Sequence, residues 1–131
     1  MGPFMTAPIT PDAPRVLIAE DHDGFRAHAR AFLECHRVTV MECANGREAV
    51  TLSHLEQPDW ILMDIEMPIM DGLAATREIL LQRPSARIVV LTSFDDDVHR
   101  QEALNAGACH FVPKEDLASI RETLGLNQTS L

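Results

Sequence analysis

From Arg15 onward the chain repeats one alternation five times, a short apolar run followed by a longer segment with helical spacing. The runs are VLIA (16–19), VTV (38–40), WILM (60–63), IVVL (88–91) and HFV (110–112). Runs this short are strands rather than helices, and the connections between them are long enough for crossover helices, so the strands run parallel. Four of the five runs are almost continuously apolar, as strands are when helices cover both faces of the sheet. The pattern predicts one α/β domain with a doubly wound, five-stranded parallel sheet and five helices. The more polar VTV reads as an edge strand.

The intervening segments carry helix signals. Phe25, Ala29, Phe32 and Leu33 share one face of the first, and Ala49, Leu52 and Leu55 one face of the second. Pro58 and Pro84 stop the second and third helices. The third opens at Asp71-Gly72, where Asp71 reads as a cap, and carries Leu73, Ile79 and Leu80. The fourth runs from about Asp96 to Ala106 and ends at Gly107, and Asp95 to Asp97 form an acidic start that suits the helix dipole. The last runs from about Glu115 to Leu124 and stops at Gly125. Residues 1–14 hold four prolines and no periodicity and read as a disordered lead-in, which leaves 15–125 as the domain and 126–131 as a flexible tail.

The 131 residues are 46% hydrophobic, enough for the core of one domain. Eleven Lys and Arg face 20 Asp and Glu, and a net charge of -9 argues against direct binding of nucleic acid. Cys35, Cys43 and Cys109 are odd in number and lack a C-x-x-C, which points to packed thiols in a reducing compartment rather than bridges or zinc. No apolar stretch nears the roughly 20 residues of a membrane span, and no secretory leader is evident, so the sequence reads as cytoplasmic and not membrane-bound.

In a doubly wound sheet, ligands bind beyond the carboxyl ends of the strands. The first strand ends in Glu20-Asp21, the third in Asp64 and the fourth in Thr92-Ser93, and the fifth is followed by Lys114. Three carboxylates brought together repel unless a cation offsets them, and an all-oxygen set suits Mg²⁺, with Mn²⁺ as an alternative. With a metal and an ammonium at hand, Asp64 has the surroundings of a carboxylate nucleophile toward phosphorus, and Thr92 could donate to a phosphoryl oxygen. His22 reads as a solvated residue of the first turn, and Met67 and Met70 as packing residues that flank this site.

VLIAEDH, DWILMDIEMPIMDG, IVVLTSFDDD and AGACHFVPK, in this order and spacing, resemble the signature blocks of response-regulator receiver domains, over about Arg15 to Leu124. The resemblance implies a flavodoxin-like sheet in the order 2-1-3-4-5. It implies that Asp64 accepts a phosphoryl group from a histidine kinase or phosphotransfer protein. Asp21 and Asp64 would ligate Mg²⁺, Glu20 through a water, and the carbonyl of Glu66 would complete the protein's share. Thr92 and Lys114 would hold phosphoryl oxygens, and Phe111 falls at the switch aromatic position. The output face would lie over about 96–124, as a homodimer contact or as the surface for a downstream protein.

Glu20 stands where Asp is commoner in the family, and Glu115 where many receivers carry proline. The TSFDDD block most resembles receivers joined to LuxR-type DNA-binding regulators, so these residues also read as the receiver half of such a protein. Two other readings are a pseudo-receiver that works without phosphorylation and a Mg²⁺-dependent phosphohydrolase, since Asp64-Ile65-Glu66 faintly resembles the paired acids of haloacid-dehalogenase phosphatases. On the leading reading the domain is not an enzyme, and its only chemistry is on its own Asp64.

Overall fold

The computed structural model of the protein describes residues 13–93 and 96–126. Most of the expected lead-in, Asp95 of the acidic run, and residues 127–131 lie outside that range. The strands are β1 (Arg15–Ala19), β2 (Thr39–Cys43), β3 (Trp60–Asp64), β4 (Ile88–Thr92) and β5 (His110–Pro113). They form one sheet in the order β2-β1-β3-β4-β5, every neighbouring pair parallel. The weakest expected strand, β2, is indeed at an edge.

Four long helices cross over: α1 (Asp23–Glu34), α2 (Gly46–Glu56), α3 (Gly72–Gln82) and α4 (Asp97–Asn105). Two principal cores flank the sheet because alternate residues of each strand face opposite sides. Val16, Ile18 and Leu62 pack with Ala29 and Leu33 of α1 on one face. Leu17, Ile61 and Met63 pack with Ala49 of α2 and with Ala75 and Ile79 of α3 on the other. The helix stops fall where the residue types required. Gln57 takes a left-handed turn just before Pro58, and Gly107 has φ 106° just after α4.

Three expectations need correction. Leu55 is not on the buried face of α2 but 66% exposed. The helix is buried through Ala49, Val50 and Ser53, whose small size lets it lie close to the sheet. The last helix is largely a 3₁₀ segment over Lys114–Ser119, kinked at Asp116 (φ -110°, ψ 39°), and only Ile120–Thr123 is α-helical, here α5. Leu117 and Ile120 are three residues apart, a spacing a 3₁₀ turn satisfies as well as an α-helix, so both bury their side chains. Of the three cysteines only Cys43 is buried, while Cys35 and Cys109 are exposed.

Candidate functional site

At the carboxyl end of β1 the chain passes into Glu20, whose backbone N–H still reaches the Cys43 carbonyl at 3.0 Å. Its side chain turns inward and is only 2% exposed, with Oε2 accepting the His22 N–H at 3.0 Å. Asp21 beside it is exposed. His22 caps α1, its Nδ1 accepting the Phe25 N–H at 3.0 Å, so one ring nitrogen is committed to the helix. Arg26, one turn into α1, donates to the Glu20 carbonyl at 2.7 Å, to Glu42 at 2.9 Å and to Asp23 at 2.6 Å. That guanidinium ties the Glu20 backbone to α1 and β2. It is a positioning residue that sequence reasoning missed, because no local spacing relates residue 26 to residues 20 and 42.

Asp64 ends β3 and is 7% exposed, with Oδ1 accepting the next backbone N–H, that of Ile65, at 2.9 Å. The Asp-Gly pair that follows has two separate tasks. Asp71 caps α3 by accepting the Ala74 N–H at 2.8 Å. Gly72 donates to the Ile65 carbonyl at 2.7 Å, and a Cβ placed on it would lie 1.8 Å from the Asp64 carbonyl oxygen. Only glycine permits that approach, so Gly72 fixes the backbone under the carboxylate. The preceding loop is held from α2, where the Gly46 N–H meets the Met70 carbonyl at 2.9 Å. Met67 and Met70, expected to pack, do so against the core. Between them Ile69 is 80% exposed at φ 69°, a costly conformation for a β-branched residue.

Lys114 enters just after β5, its Nζ 2.8 Å from Glu20 Oε1 and 3.6 Å from Asp64 Oδ1. Glu20, Asp21, His22, Asp64, Glu66, Ser93 and Lys114 line one cleft of about 300 Å³. The expected acids and the ammonium therefore converge. Thr92, the last residue of β4, is 1% exposed and is not among the residues lining the cleft, whereas the next residue, Ser93, is. Phe111 is buried among Ile65, Val90, Ala103 and Ala108, with the Arg100 guanidinium 4.7 Å from its ring centre, and is not part of the cleft lining.

Burial pushes the Asp64 carboxyl up to about 7, the Glu20 charge adds to this, and Lys114 partly opposes it. Glu20 Oε1 is buried and has its ion pair with Lys114 but no aligned hydrogen bond. Glu20, Asp21 and Asp64 each offer a carboxylate oxygen, all within 4.8 Å of one another. An all-oxygen cluster with surplus negative charge and an under-satisfied buried oxygen fits a hard divalent cation such as Mg²⁺. Neither cysteine nor histidine belongs to the cluster, which disfavours zinc.

A family model described as the response regulator receiver domain matches residues 16–124. A protein-glutamate methylesterase/protein-glutamine glutaminase of Alkalilimnicola ehrlichii is 42% identical over 104 residues, 76% of this chain and 26% of that protein. The response regulator protein VraR of Staphylococcus epidermidis is 38% identical over 107 residues, 80% of this chain and 51% of that protein. The chain thus spans between about a quarter and about half the length of these two relatives. Among solved structures, a two-component response regulator of the LuxR family from Aurantimonas superposes with a TM-score of 0.82 at 29% identity, covering 87% of this chain and 84% of that one.

Proposed function

The chain belongs to the response-regulator receiver family, and from that membership we propose that it is a phosphorylation-switched signalling domain whose acceptor is Asp64. The observation that supports this most is the site itself. A buried carboxylate at the end of β3 faces Glu20 and Asp21 within the reach of one ion and lies 3.6 Å from the Lys114 ammonium.

An Asp64 carboxylate oxygen attacks the phosphorus of a phosphohistidine on a histidine kinase or phosphotransfer protein. The new P–O bond forms as the P–N bond breaks, and the electron pair returns to the imidazole. Asp21 and Asp64, Glu20 through a water, and the carbonyl of Glu66 would hold Mg²⁺, which would supply positive charge against the phosphoryl oxygens. Lys114 exchanges part of its pairing with Glu20 for a phosphoryl oxygen, and the Thr92 hydroxyl donates to another. Movement of Thr92 frees space that Phe111 takes up, which alters the surface over about 96–124 used by a homodimer or a downstream protein. Phosphate acts only through its unequal affinity for the two conformations. The setting is the cytoplasm, where such a kinase would present its phosphohistidine.

A second reading is favoured by the length of the VraR relative, of which this chain covers 51%: the domain is the input half of a larger protein, which the LuxR-type resemblance of its sequence would make a DNA-binding regulator. Sequence of the native gene beyond Leu131 tests that, since a helix-turn-helix unit would need roughly 60 further residues.

Intact mass after incubation with acetyl phosphate tests the main reading. A single phosphoryl adduct is expected with Mg²⁺, and none with chelator or in Asp64→Asn. Folded wild-type protein that takes no phosphoryl group under any condition would contradict it and favour a phosphorylation-independent pseudo-receiver.

A further inference from the structure

Lys114 carries its ammonium on a flexible four-carbon stem, and holding such a charge at one point costs side-chain entropy. Two carboxylates pull on it unequally, Glu20 at 2.8 Å and Asp64 at 3.6 Å. Both are candidate ligands of a divalent cation, so both attractions weaken once a cation is bound. A third contact is of a different kind. Lys114 Nζ lies 4.8 Å from the centre of the Phe25 ring, within range of a cation–π interaction.

Phe25 is well placed to serve as a fixed seat. It is the third residue of α1, its N–H is held by the capping His22, and its half-buried side chain packs against the core shared by α1 and the sheet. A neutral ring neither binds the cation nor takes a proton, so its attraction for the ammonium persists when Glu20 and Asp64 are occupied. The Lys114 side chain is only 16% exposed, so this attraction is poorly screened by water.

We infer that Phe25 is a positioning residue for phosphoryl acceptance, its ring face seating the Lys114 ammonium beside Asp64. The inference rests on the functional reading above and adds to it a residue of α1 that touches neither the cation nor the phosphoryl group.

The test is the rate of Asp64 phosphorylation by acetyl phosphate as Mg²⁺ is varied, for wild type, Phe25→Leu, Phe25→Tyr, Lys114→Gln and Phe25→Leu/Lys114→Gln. Phe25→Leu keeps apolar packing but loses the π face, and should lower the maximal rate about three- to tenfold with the Mg²⁺ half-saturation unchanged. Phe25→Tyr should stay within about twofold of wild type, and Phe25→Leu should add no more than about twofold to the loss caused by Lys114→Gln. In the wild-type protein itself, the Lys114 methylene protons should show an upfield ring-current shift by NMR.

A wild-type rate in Phe25→Leu, an equal loss in Phe25→Tyr, an undiminished effect in the Lys114→Gln background, or unshifted Lys114 protons would each overturn the inference. Wild-type protein that accepts no phosphoryl group would overturn the functional reading and this inference together. Acceptance that ignores the Phe25 ring would overturn this inference alone.

Discussion

The two ends of the sheet are built on opposite electrostatic principles. At the amino end the arginines are each satisfied by close partners. The Arg15 N–H and guanidinium meet Asp59 at 2.8 Å and the Glu56 carbonyl at 2.6 Å. Arg83 donates to the Ser53 hydroxyl at 2.8 Å and to the Pro58 carbonyl at 3.2 Å, and Arg87 lies 4.2 Å from the centre of the Trp60 ring. At the carboxyl end three carboxylates cluster with one ammonium beside two of them, the Asp64 carboxyl is pushed up to about 7, and Ile69 sits at a costly φ. Both ends are formed by the same five strands, so the difference is one of purpose. One end holds the domain together, and the other leaves negative charge in excess, which is what the proposed cation and phosphoryl group would balance.

Substitutions sharpen this contrast, the largest effect first. Gly72→Ala puts a methyl group against the Asp64 carbonyl, which rigid backbone on both sides cannot relieve. It should cost about 3 kcal/mol or more in urea unfolding. Gly125→Ala, with φ 69° but nothing within 4 Å of its Cβ, should cost only about 1 kcal/mol. Equal losses at the two glycines would mean that α3 is not pinned under the site.

Lys114→Ala removes the cation facing Glu20 and Asp64 and should destabilise by about 2 kcal/mol at pH 8 in chelator. Millimolar Mg²⁺ should restore most of that loss. A loss that Mg²⁺ leaves untouched would assign Lys114 a packing role instead.

At the amino end, Arg83→Ala strips partners from the largely buried Ser53 and should cost about 1–2 kcal/mol while leaving the phosphorylation rate unchanged. Arg15→Ala breaks an ion pair to Glu56 that is 39% exposed on one side and 47% on the other, and should cost under about 1 kcal/mol, less at high salt. A slowed phosphorylation in either variant would break the division between the two ends.

Much of the carboxyl end was legible in the sequence because four of its charged residues interrupt or closely follow an apolar run. Glu20, Asp21, Asp64 and Lys114 stand where a buried strand would otherwise continue, and the structure brings all four to one cleft. What stayed hidden depends on approach in three dimensions. Gly72 looks like any glycine at a helix start until α3 is seen against the Asp64 carbonyl. Arg26 and Phe25 look like ordinary α1 positions until Glu20, Glu42 and Lys114 arrive from elsewhere in the chain. The 3₁₀ segment over Lys114–Ser119 escaped because Leu117 and Ile120 fit either helix period.

The most direct test is the stability of wild type and Asp64→Asn from pH 3 to 8 in chelator, by urea unfolding. Asp64 holds its proton in the folded state up to about 7 but releases it near 3.8 when unfolded. Between those values the folded state binds more protons, so wild-type stability falls as pH rises through the window. Asparagine removes that slope, and the variant should gain on wild type from nothing near pH 4 to as much as about 4 kcal/mol by pH 8. Millimolar Mg²⁺ should stabilise wild type more than the variant and so narrow the gap. A difference that is flat with pH, or a variant less stable than wild type at pH 8, would contradict the claim that charge is held unbalanced at Asp64.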